Sequence, residues 1–379
     1  VVNNTGSKVL PLLNKAPNVE FKARSVYTNL PVGGAYRGYG ATQGSFALNV
    51  QMDQMARRIG WDVVELWRKN HIRTGETSPV FKVLGEGTEG VEMIIGSCGL
   101  PECIDQGYEA IEWEKWRDKR IRKGDEVYGV GMACLMQGSS IPEIDMASAS
   151  MKMNEDGSFN LLIGATDLGT GSDTVMAQIA AEVLSVPVDK IVVYSSDTDM
   201  TPFDVGAYAS STTYLSGEAV RRVALKIRQQ ILERAMIMLG GGNETLAVNG
   251  DTVTDNNTGK QVSYSDVAIN TLYSSEQHQI QAQASAISHR SPPPFSAHYA
   301  LVAVDVNTGN LRVVKYVAAI DCGTAINPVL AEGQTEGGVM NAISSALWEN
   351  YDFNEKGRMR NTSFSTYKIG MMRDLPEIQ

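Results

Sequence analysis

Cysteine and histidine are both scarce. Cys98, Cys103, Cys134 and Cys322 are the four thiols in 379 residues, and their spacing lacks the two closely set couples that zinc or an iron–sulfur cluster needs. Only Cys98 and Cys103 are near enough in sequence to pair or share a metal, and a lone Cys-x4-Cys is weak evidence for either. His71, His278, His289 and His298 are scattered and make no His-x-x-Glu-His type cluster, so surface or core roles are expected for all four. No Gly-x-Ser-x-Gly elbow occurs, which removes a serine hydrolase. No Gly-x4-Gly-Lys-Ser/Thr occurs, and Gly169-Thr170-Gly171 lacks the third glycine of a dinucleotide fingerprint, so P-loop and Rossmann sites are excluded. No run approaches the ~20 apolar residues that cross a bilayer, and no basic region followed by an apolar stretch opens the chain. With few cysteines and neither of those features, the expected compartment is the cytoplasm.

Positive charge is in deficit. Lys and Arg number 33 against 43 Asp and Glu, a formal charge of −10. Phosphate backbones are gripped by clustered cations, so a nucleic-acid partner is excluded. The basic run Lys115, Arg117, Lys119, Arg120, Arg122 and Lys123 alternates with acids and aromatics, as a solvated helix face does. Any anion bound by this chain must therefore be held by local geometry.

What is present is ordinary globular material, 43% hydrophobic and 20% charged, in a chain long enough for two or three subdomains. β-Branched and aromatic residues predict a strand over 21–29, followed by a glycine turn and a helix over 44–58. A helix-rich stretch (61–73), an irregular crossing (75–99) and a helix (101–122) come next. Ala149, Met151 and Met153 alternate up to Asp156-Gly157, and Phe159, Leu161 and Ile163 alternate after it, the pattern of a hairpin. Its second strand leads through 169–173 into a helix marked by Val175, Ile179 and Val183. A strand at 190–194, a helix over 218–239 and a turn-rich stretch closed by Pro292-Pro293-Pro294 follow. A second hairpin, 298–306 with 311–320 around Asn307-Thr308-Gly309, precedes a helix over 330–349. The expected fold class is α/β (α+β), mixed sheets with helices, divided as 1–125, 126–240, a peripheral module at 241–294, and 295–379.

Four loops, 38–44, 169–172, 210–213 and 331–338, share one design, with glycine or hydroxyl residues between a strand and a helix. Glycine lets the backbone approach a ligand closely, and the first-turn N–H groups of a helix lack internal partners. One such terminus offers an anion roughly 0.3–1 kcal/mol, whereas several converging on one ligand would trap a multi-anionic or oxygen-rich molecule. The same residues are also plain helix caps in any α/β fold, and singly each loop reads that way. Arg37, between Tyr36 and Tyr39, offers either a planar donor fork flanked by two rings or a salt bridge to a neighbouring loop, and the residue types leave both open.

Five stretches carry a resemblance: Ala35-Tyr36-Arg37-Gly38-Tyr39-Gly40-Ala41-Thr42-Gln43, Gly164-Ala165-Thr166-Asp167-Leu168-Gly169-Thr170-Gly171, residues 208–220, Asp321-Cys322-Gly323-Thr324-Ala325-Ile326-Asn327-Pro328, and Gly333-Gln334-Thr335-Glu336-Gly337-Gly338. In order and spacing, from Asn18 to Ile369, they resemble the molybdenum-binding subunit of the xanthine dehydrogenase and aldehyde oxidase family. The nearest flavour is that of bacterial enzymes acting on purines or nicotinate. The resemblance implies a two-subdomain molybdopterin-binding chain in which Arg37 binds the pterin and Tyr36 and Tyr39 wall the substrate pocket. It implies that Leu168, Gly169 and Thr170 line the pterin or its phosphate, with Thr170 in place of a frequent glutamine. Tyr208, in place of a small residue, and Ala209 would approach the metal's open face, and Ser210, Ser211 and Thr212 would give donors to the cofactor. Gln334 would contact the cofactor tail, a cytosine dinucleotide in bacterial members. No direct protein ligand to the metal is implied.

The implied reaction is hydroxylation of an electron-poor carbon, N-heteroaromatic rather than aldehyde, with a water-derived oxygen and a glutamate base. Electrons would leave through iron–sulfur clusters and FAD on partner chains of a hetero-oligomer. The family's Gly-Glu-Pro-Pro-like glutamate motif is missing, because Gly75-Glu76, Gly85-Glu86 and Gly217-Glu218 lack its context. The glycine-rich glutamine loop of the first molybdenum domain is missing too. The expectation is therefore a portion of an enzyme, completed by another molybdenum-domain chain or segment, an iron–sulfur subunit and an FAD subunit. A start on Val1 without Met leaves processing, splitting or truncation open. The alternative is a non-catalytic scaffold that keeps the fold without metal.

Overall fold

A computed structural model of the protein describes residues 2–14, 16, 18–85 and 89–379; Glu86 of the Gly85-Glu86 pair lies outside them. The chain enters through α1 (Val2–Ser7), then runs through α2 (Ala41–Ile59), α3 (Val63–Asn70), α4 (Pro79–Val83), α5 (Leu100–Ala110) and α6 (Trp113–Trp116). Strands β1 (Arg122–Lys123) and β2 (Glu126–Met136) follow. Residues 139–291 then form a unit of their own. It holds β3 (Met146–Met153), β4 (Phe159–Ile163), α7 (Ser172–Leu184), β5 (Ile191–Ser195), α8 (Gly217–Leu239), β6 (Leu246–Asn249), β7 (Thr252–Asp255), β8 (Gln261–Ser263), α9 (Tyr264–Tyr273) and β9 (Gln281–Ile287). The chain returns to the first unit with β10 (Phe295–Asp305), β11 (Leu311–Asp321), α10 (Pro328–Leu347) and β12 (Glu377–Ile378).

In the first unit the strands pair in the order β1-β2-β10-β11-β12. β10 is antiparallel to both β2 and β11, and β12 joins β11 in parallel. Strict alternation along β10 sends Phe295, Ala297, Tyr299, Leu301 and Ala303 to one buried face. α5 packs on that face. A Cβ at Gly107 of α5 would lie 2.2 Å from the Tyr299 ring, so the helix needs glycine there to come this close. The Tyr299 hydroxyl donates to the Ile104 carbonyl at 2.8 Å, satisfying the polar end of a buried ring. Trp67, Ile72, Ile95, Leu100, Ile111 and Trp113 complete the core. Each such side chain contributes about 1.5–3 kcal/mol by leaving water.

β1 pairs with Glu126 and Val127 of β2, and among the described residues no strand covers the free edge of β2 at Cys134. Buried Asn49 of α2 takes that place: its amide donates to the Cys134 carbonyl at 3.0 Å and its oxygen accepts from the Cys134 N–H at 2.9 Å. One side chain thus satisfies both backbone groups that an edge strand leaves open.

In the second unit the order is β5-β4-β3-β9, with β4 and β5 parallel and the other pairs antiparallel. α7 connects the two parallel strands and packs with α8. Phe159, Leu161 and Ile163 of β4 meet Met176, Ala180 and Leu184 of α7 and Val220, Ala224 and Ile227 of α8 in one core.

The two expected hairpins are present, with Ala149 opposite Ile163 and Met153 opposite Phe159 in one, and β10 on β11 in the other. The strand expected at 21–29 is not: the segment joins no sheet, and Val26 and Tyr27 are exposed. β-Branched and aromatic residues favour extension, but a strand also needs a neighbour for its backbone groups. The helix expected over 101–122 ends at Ala110, because Glu112 takes a left-handed φ of 58°, and only the short α6 follows. The basic run is consequently no solvated helix face. Arg117 pairs with Asp118 and lies over the Trp113 ring, and Lys123 lies over the Trp116 and Tyr128 rings. Within 241–294, β6, β7 and β8 form a small sheet of their own, whereas β9 pairs with β3.

Candidate cofactor site

In the first unit the loop before α2 carries Tyr36, Arg37 and Tyr39. Gly38 and Gly40 take left-handed φ values of 73° and 82°, the Tyr39 N–H returns to the Tyr36 carbonyl, and α2 starts at Ala41. This turn sends Arg37 to α10, where its Nη2 donates to both the main-chain carbonyl (2.9 Å) and the side-chain oxygen (3.0 Å) of Gln334. The Tyr36 hydroxyl donates to Asn341 at 2.6 Å. Gln334 and Asn341 are two turns apart on one face of α10. Gly337 and Gly338 lie between them, each leaving a Cβ position 3.8–3.9 Å from the guanidinium. Among the described residues no carboxylate forms an ion pair with Arg37, so the salt-bridge reading left open by the residue types does not apply here.

Arg37 and Gln334 also line a groove of about 980 Å³, together with Phe46 and Val50 of α2, Met132 of β2, His298 of β10 and Tyr316 of β11. The Tyr316 hydroxyl and His298 Nδ1 share a 3.1 Å hydrogen bond. Burial lowers the His298 pKa to about 4 and raises that of Tyr316 to about 12, so the pair is uncharged at neutral pH. Sequence reasoning missed this groove, since its lining comes from five separate stretches with no shared motif.

In the second unit, Gly169 and Gly171 take left-handed φ values and Gly171 leads into α7. Leu168, Gly169 and Thr170 are exposed. Three of this loop's backbone donors are already met: Asp167 accepts from the N–H groups of Gly169 (2.8 Å), Gly171 (3.1 Å) and Asp173 (3.5 Å). Burial raises the Asp167 pKa, but these backbone bonds outweigh it and leave the carboxyl below its usual value. Elsewhere Gln43 takes the Gly40 N–H and Asn327 takes the Leu330 N–H. At each of these three places the sequence thus supplies an acceptor for at least one backbone N–H, so the termini are not wholly open to an anion. Residues 331–338 need a correction. They lie inside α10, which starts at Pro328 under the Asn327 cap, and Pro at the first position fixes the start there.

The second loop of this unit runs from Gly206 to a π-helical turn, Thr212–Ser216, that opens α8. Ala209 and Ser210 are consecutive non-glycine residues at φ 51° and 56°. Tyr208 and Ser210 are exposed, Ala209 and Thr212 half-buried, and Ser211 buried with its hydroxyl donating to the Tyr208 carbonyl at 2.8 Å. The Tyr208 hydroxyl donates to Asp145 at 2.6 Å. π-Turns and left-handed non-glycine residues are uncommon and gather at functional positions.

Of the three Gly-Glu pairs that lack the family's motif context, the two described glutamates have other partners. Glu218 sits between Arg221 and Arg222, whose hydrogen bonds, led by that of Arg221, lower its pKa, and Glu76 accepts from the Arg73 N–H. All four cysteines are free thiols, and the described residues hold no cluster of metal-ligating side chains.

A pterin-type cofactor needs neutral and cationic donors and room for close approach, and each unit, taken by itself, holds residues that fit that need. Arg37 is a cation whose bonded partners here are oxygens of an uncharged glutamine. In α7 the Ser172 hydroxyl is buried at 4% exposure without a partner, two residues after Thr170, and the Cβ direction of Gly169 is empty to 4 Å.

Comparison with known proteins agrees. The sequence matches the family model described as the molybdopterin cofactor-binding domain over residues 106–376, and a second model of that description over residues 1–71. The chain belongs to this family, that of the molybdenum-binding subunits of molybdenum hydroxylases. It is 35% identical over 367 residues to a putative xanthine dehydrogenase molybdenum-binding subunit of Escherichia coli strain K12, covering 95% of this chain and 48% of that one. It is 35% identical over 360 residues to a probable hypoxanthine oxidase of the same strain, covering 95% of this chain and 37% of the other. The chain thus spans less than half the length of these relatives. Among solved structures, quinoline 2-oxidoreductase from Pseudomonas putida 86 superposes with a TM-score of 0.81 at 25% identity, over 91% of this chain and 45% of that one. CO dehydrogenase from Oligotropha carboxidovorans gives 0.82 at 23% identity, over 92% and 45%, a likeness of fold. The mixed α/β class expected from the sequence is the class observed. Among the described residues no helix is long and apolar enough to cross a membrane.

Proposed function

We propose that this chain is the molybdopterin-binding portion of an oxidoreductase that hydroxylates an electron-poor carbon of an N-heteroaromatic ring, a purine or nicotinate, with oxygen derived from water. When bound, the molybdenum cofactor supplies two-electron redox chemistry and oxygen transfer. The chain's own residues bind and orient it. Arg37 presents its remaining guanidinium N–H groups to an oxygen-rich ligand while Gln334 fixes its plane. Leu168, Gly169 and Thr170 line the pterin or its phosphate. Ala209, Ser210, Ser211 and Thr212 approach the cofactor, and Tyr36, Tyr39 and Tyr208 shape the substrate's surroundings. The cofactor form is the cytosine dinucleotide, the general-base glutamate lies outside this chain, and partner chains carry iron–sulfur clusters and FAD. Support for the ring substrate comes from the names of relatives: a hypoxanthine oxidase, a nicotine 6-hydroxylase and a quinoline oxidoreductase.

The observation that carries this reading is the arginine held on two glutamine oxygens beside paired glycines. Its test is elemental and nucleotide analysis of the complex purified with its natural partners. Close to one molybdenum per chain, with cytidine monophosphate released by acid, is the expected result. A metal-free complex that retains its fold would instead mark a scaffold.

A further inference from the structure

Asp145 and Ser140 belong to no motif used so far, yet both hold the Tyr208–Ser210 turn. Asp145 is wholly buried in a chain whose acids are mostly exposed. One of its carboxylate oxygens accepts the Tyr208 hydroxyl at 2.6 Å, and the other accepts the Ile141 N–H at 2.7 Å. Its own carbonyl accepts the Ser288 N–H at 3.1 Å, which fixes it to the strand-end region after β9. Ser140, itself at a left-handed φ of 66°, donates its N–H to the Ala209 carbonyl at 2.8 Å. The turn is thus tied at two points, the side chain of 208 just before its strained peptide and the 209 carbonyl within it. Non-glycine residues visit the left-handed region rarely, and two in succession persist only where surrounding bonds over-determine them.

We propose that Asp145, acting through the Tyr208 hydroxyl, and Ser140, acting on the Ala209 carbonyl, are positioning residues that hold Ala209 and Ser210 in the orientation that faces the cofactor. This rests on the assignment of Ala209 and Ser210 to the cofactor. Without the clamp, φ at 209 and 210 relaxes to negative values, the intervening peptide rotates, and Ser210 no longer presents its N–H and hydroxyl as it does now.

Three variants, Tyr208→Phe, Asp145→Ala and Asp145→Asn, made in the assembled enzyme, decide the matter by two readouts. Crystal structures report φ at Ala209 and Ser210. Molybdenum retained per chain, with the Mo(V) electron paramagnetic resonance line shape, reports the cofactor. Tyr208→Phe and Asp145→Ala are expected to move at least one φ to negative values, lower retained molybdenum roughly tenfold and alter the line shape. Asp145→Asn keeps an oxygen for the tyrosine proton and is expected to restore most of both, which a general loss of stability would not produce. Should Asp145→Ala fail to fold, Tyr208→Phe decides, because it deletes a single hydroxyl. Unchanged angles and unchanged molybdenum in Tyr208→Phe overturn the clamp. Relaxed angles in an enzyme whose wild type holds no molybdenum leave the clamp standing and overturn the cofactor assignment.

Discussion

The Arg37 guanidinium meets Gln334 across 297 residues of sequence, with one nitrogen serving both the main-chain and the side-chain oxygen of the glutamine. A lysine has no planar fork to repeat this while keeping further N–H groups for a ligand. Arg37→Lys and Gln334→Ala are therefore expected to change unfolding free energy by no more than about 0.5 kcal/mol, as exposed substitutions do. Retained molybdenum should nonetheless fall roughly tenfold. Elemental analysis beside a thermal melt checks both halves, and full metal content in both variants would remove Arg37 from the site.

His298 gives a pH signature. Its pKa in the folded protein is lowered by burial to about 4, below its usual 6.5. The unfolded chain takes up a proton as pH falls through 6.5, while the folded chain does not until near 4. The stability that the neutral ring contributes is thus complete above pH 6.5 and is lost between about 6.5 and 4. After a discount for its partial contact with solvent, the loss is about 2 kcal/mol. Urea titrations at pH 7 and pH 4.5 on wild type and His298→Gln should differ by that amount; equal pH sensitivity would mean that the ring titrates normally.

Gly107→Ala places a methyl group 2.2 Å from the Tyr299 ring in the fully packed interface of α5 and β10. Overpacking of this kind costs about 1–3 kcal/mol, against the small gain that alanine brings to an open helix position. A lowered midpoint in denaturant is the expected outcome. A raised one would show that the ring has room to move aside.

Asp62 serves two elements at once, capping α3 through the Val64 N–H at 2.7 Å and accepting the Trp113 indole N–H at 2.8 Å. Asp62→Ala leaves a buried indole without an acceptor and a helix without its cap, a loss of about 2–3 kcal/mol. Asp62→Asn retains one oxygen and should lose less than half of that. Equal melting points for the two variants would assign the effect to charge alone.

Periodicity made the hairpins legible, because Ala149, Met151 and Met153 alternate against Phe159, Leu161 and Ile163 around Asp156-Gly157, and nothing beyond neighbours in sequence is needed to pair them. The helix marked by Val175, Ile179 and Val183 was legible for the same reason. The segment 21–29 was not, since its residue types specify extension but cannot say whether a partner edge is present. The loops of the candidate site were readable as glycine and hydroxyl turns, but not which of their N–H groups already have acceptors. Asp167, Gln43 and Asn327 read as ordinary polar residues until the backbone folds their oxygens onto the N–H groups. The partnerships of Arg37 with Gln334 and of Tyr208 with Asp145 join residues far apart in the chain, where no local pattern reaches.

β2 ends at Met136 and, beyond its two-residue pairing with β1, finds its long ladder partner only when Phe295–Asp305 has been made. During synthesis the intervening unit, whose sheet is complete within 139–291, has all its partners in hand first, while β2 must wait with its hydrogen-bonding edge open. Asn49 already lies upstream of Cys134, so the nascent strand can shield one margin before its true neighbour leaves the ribosome. A ribosome stalled before residue 295 would therefore present a finished inner unit beside an unfinished sheet, which is the moment when chaperone capture has most to protect.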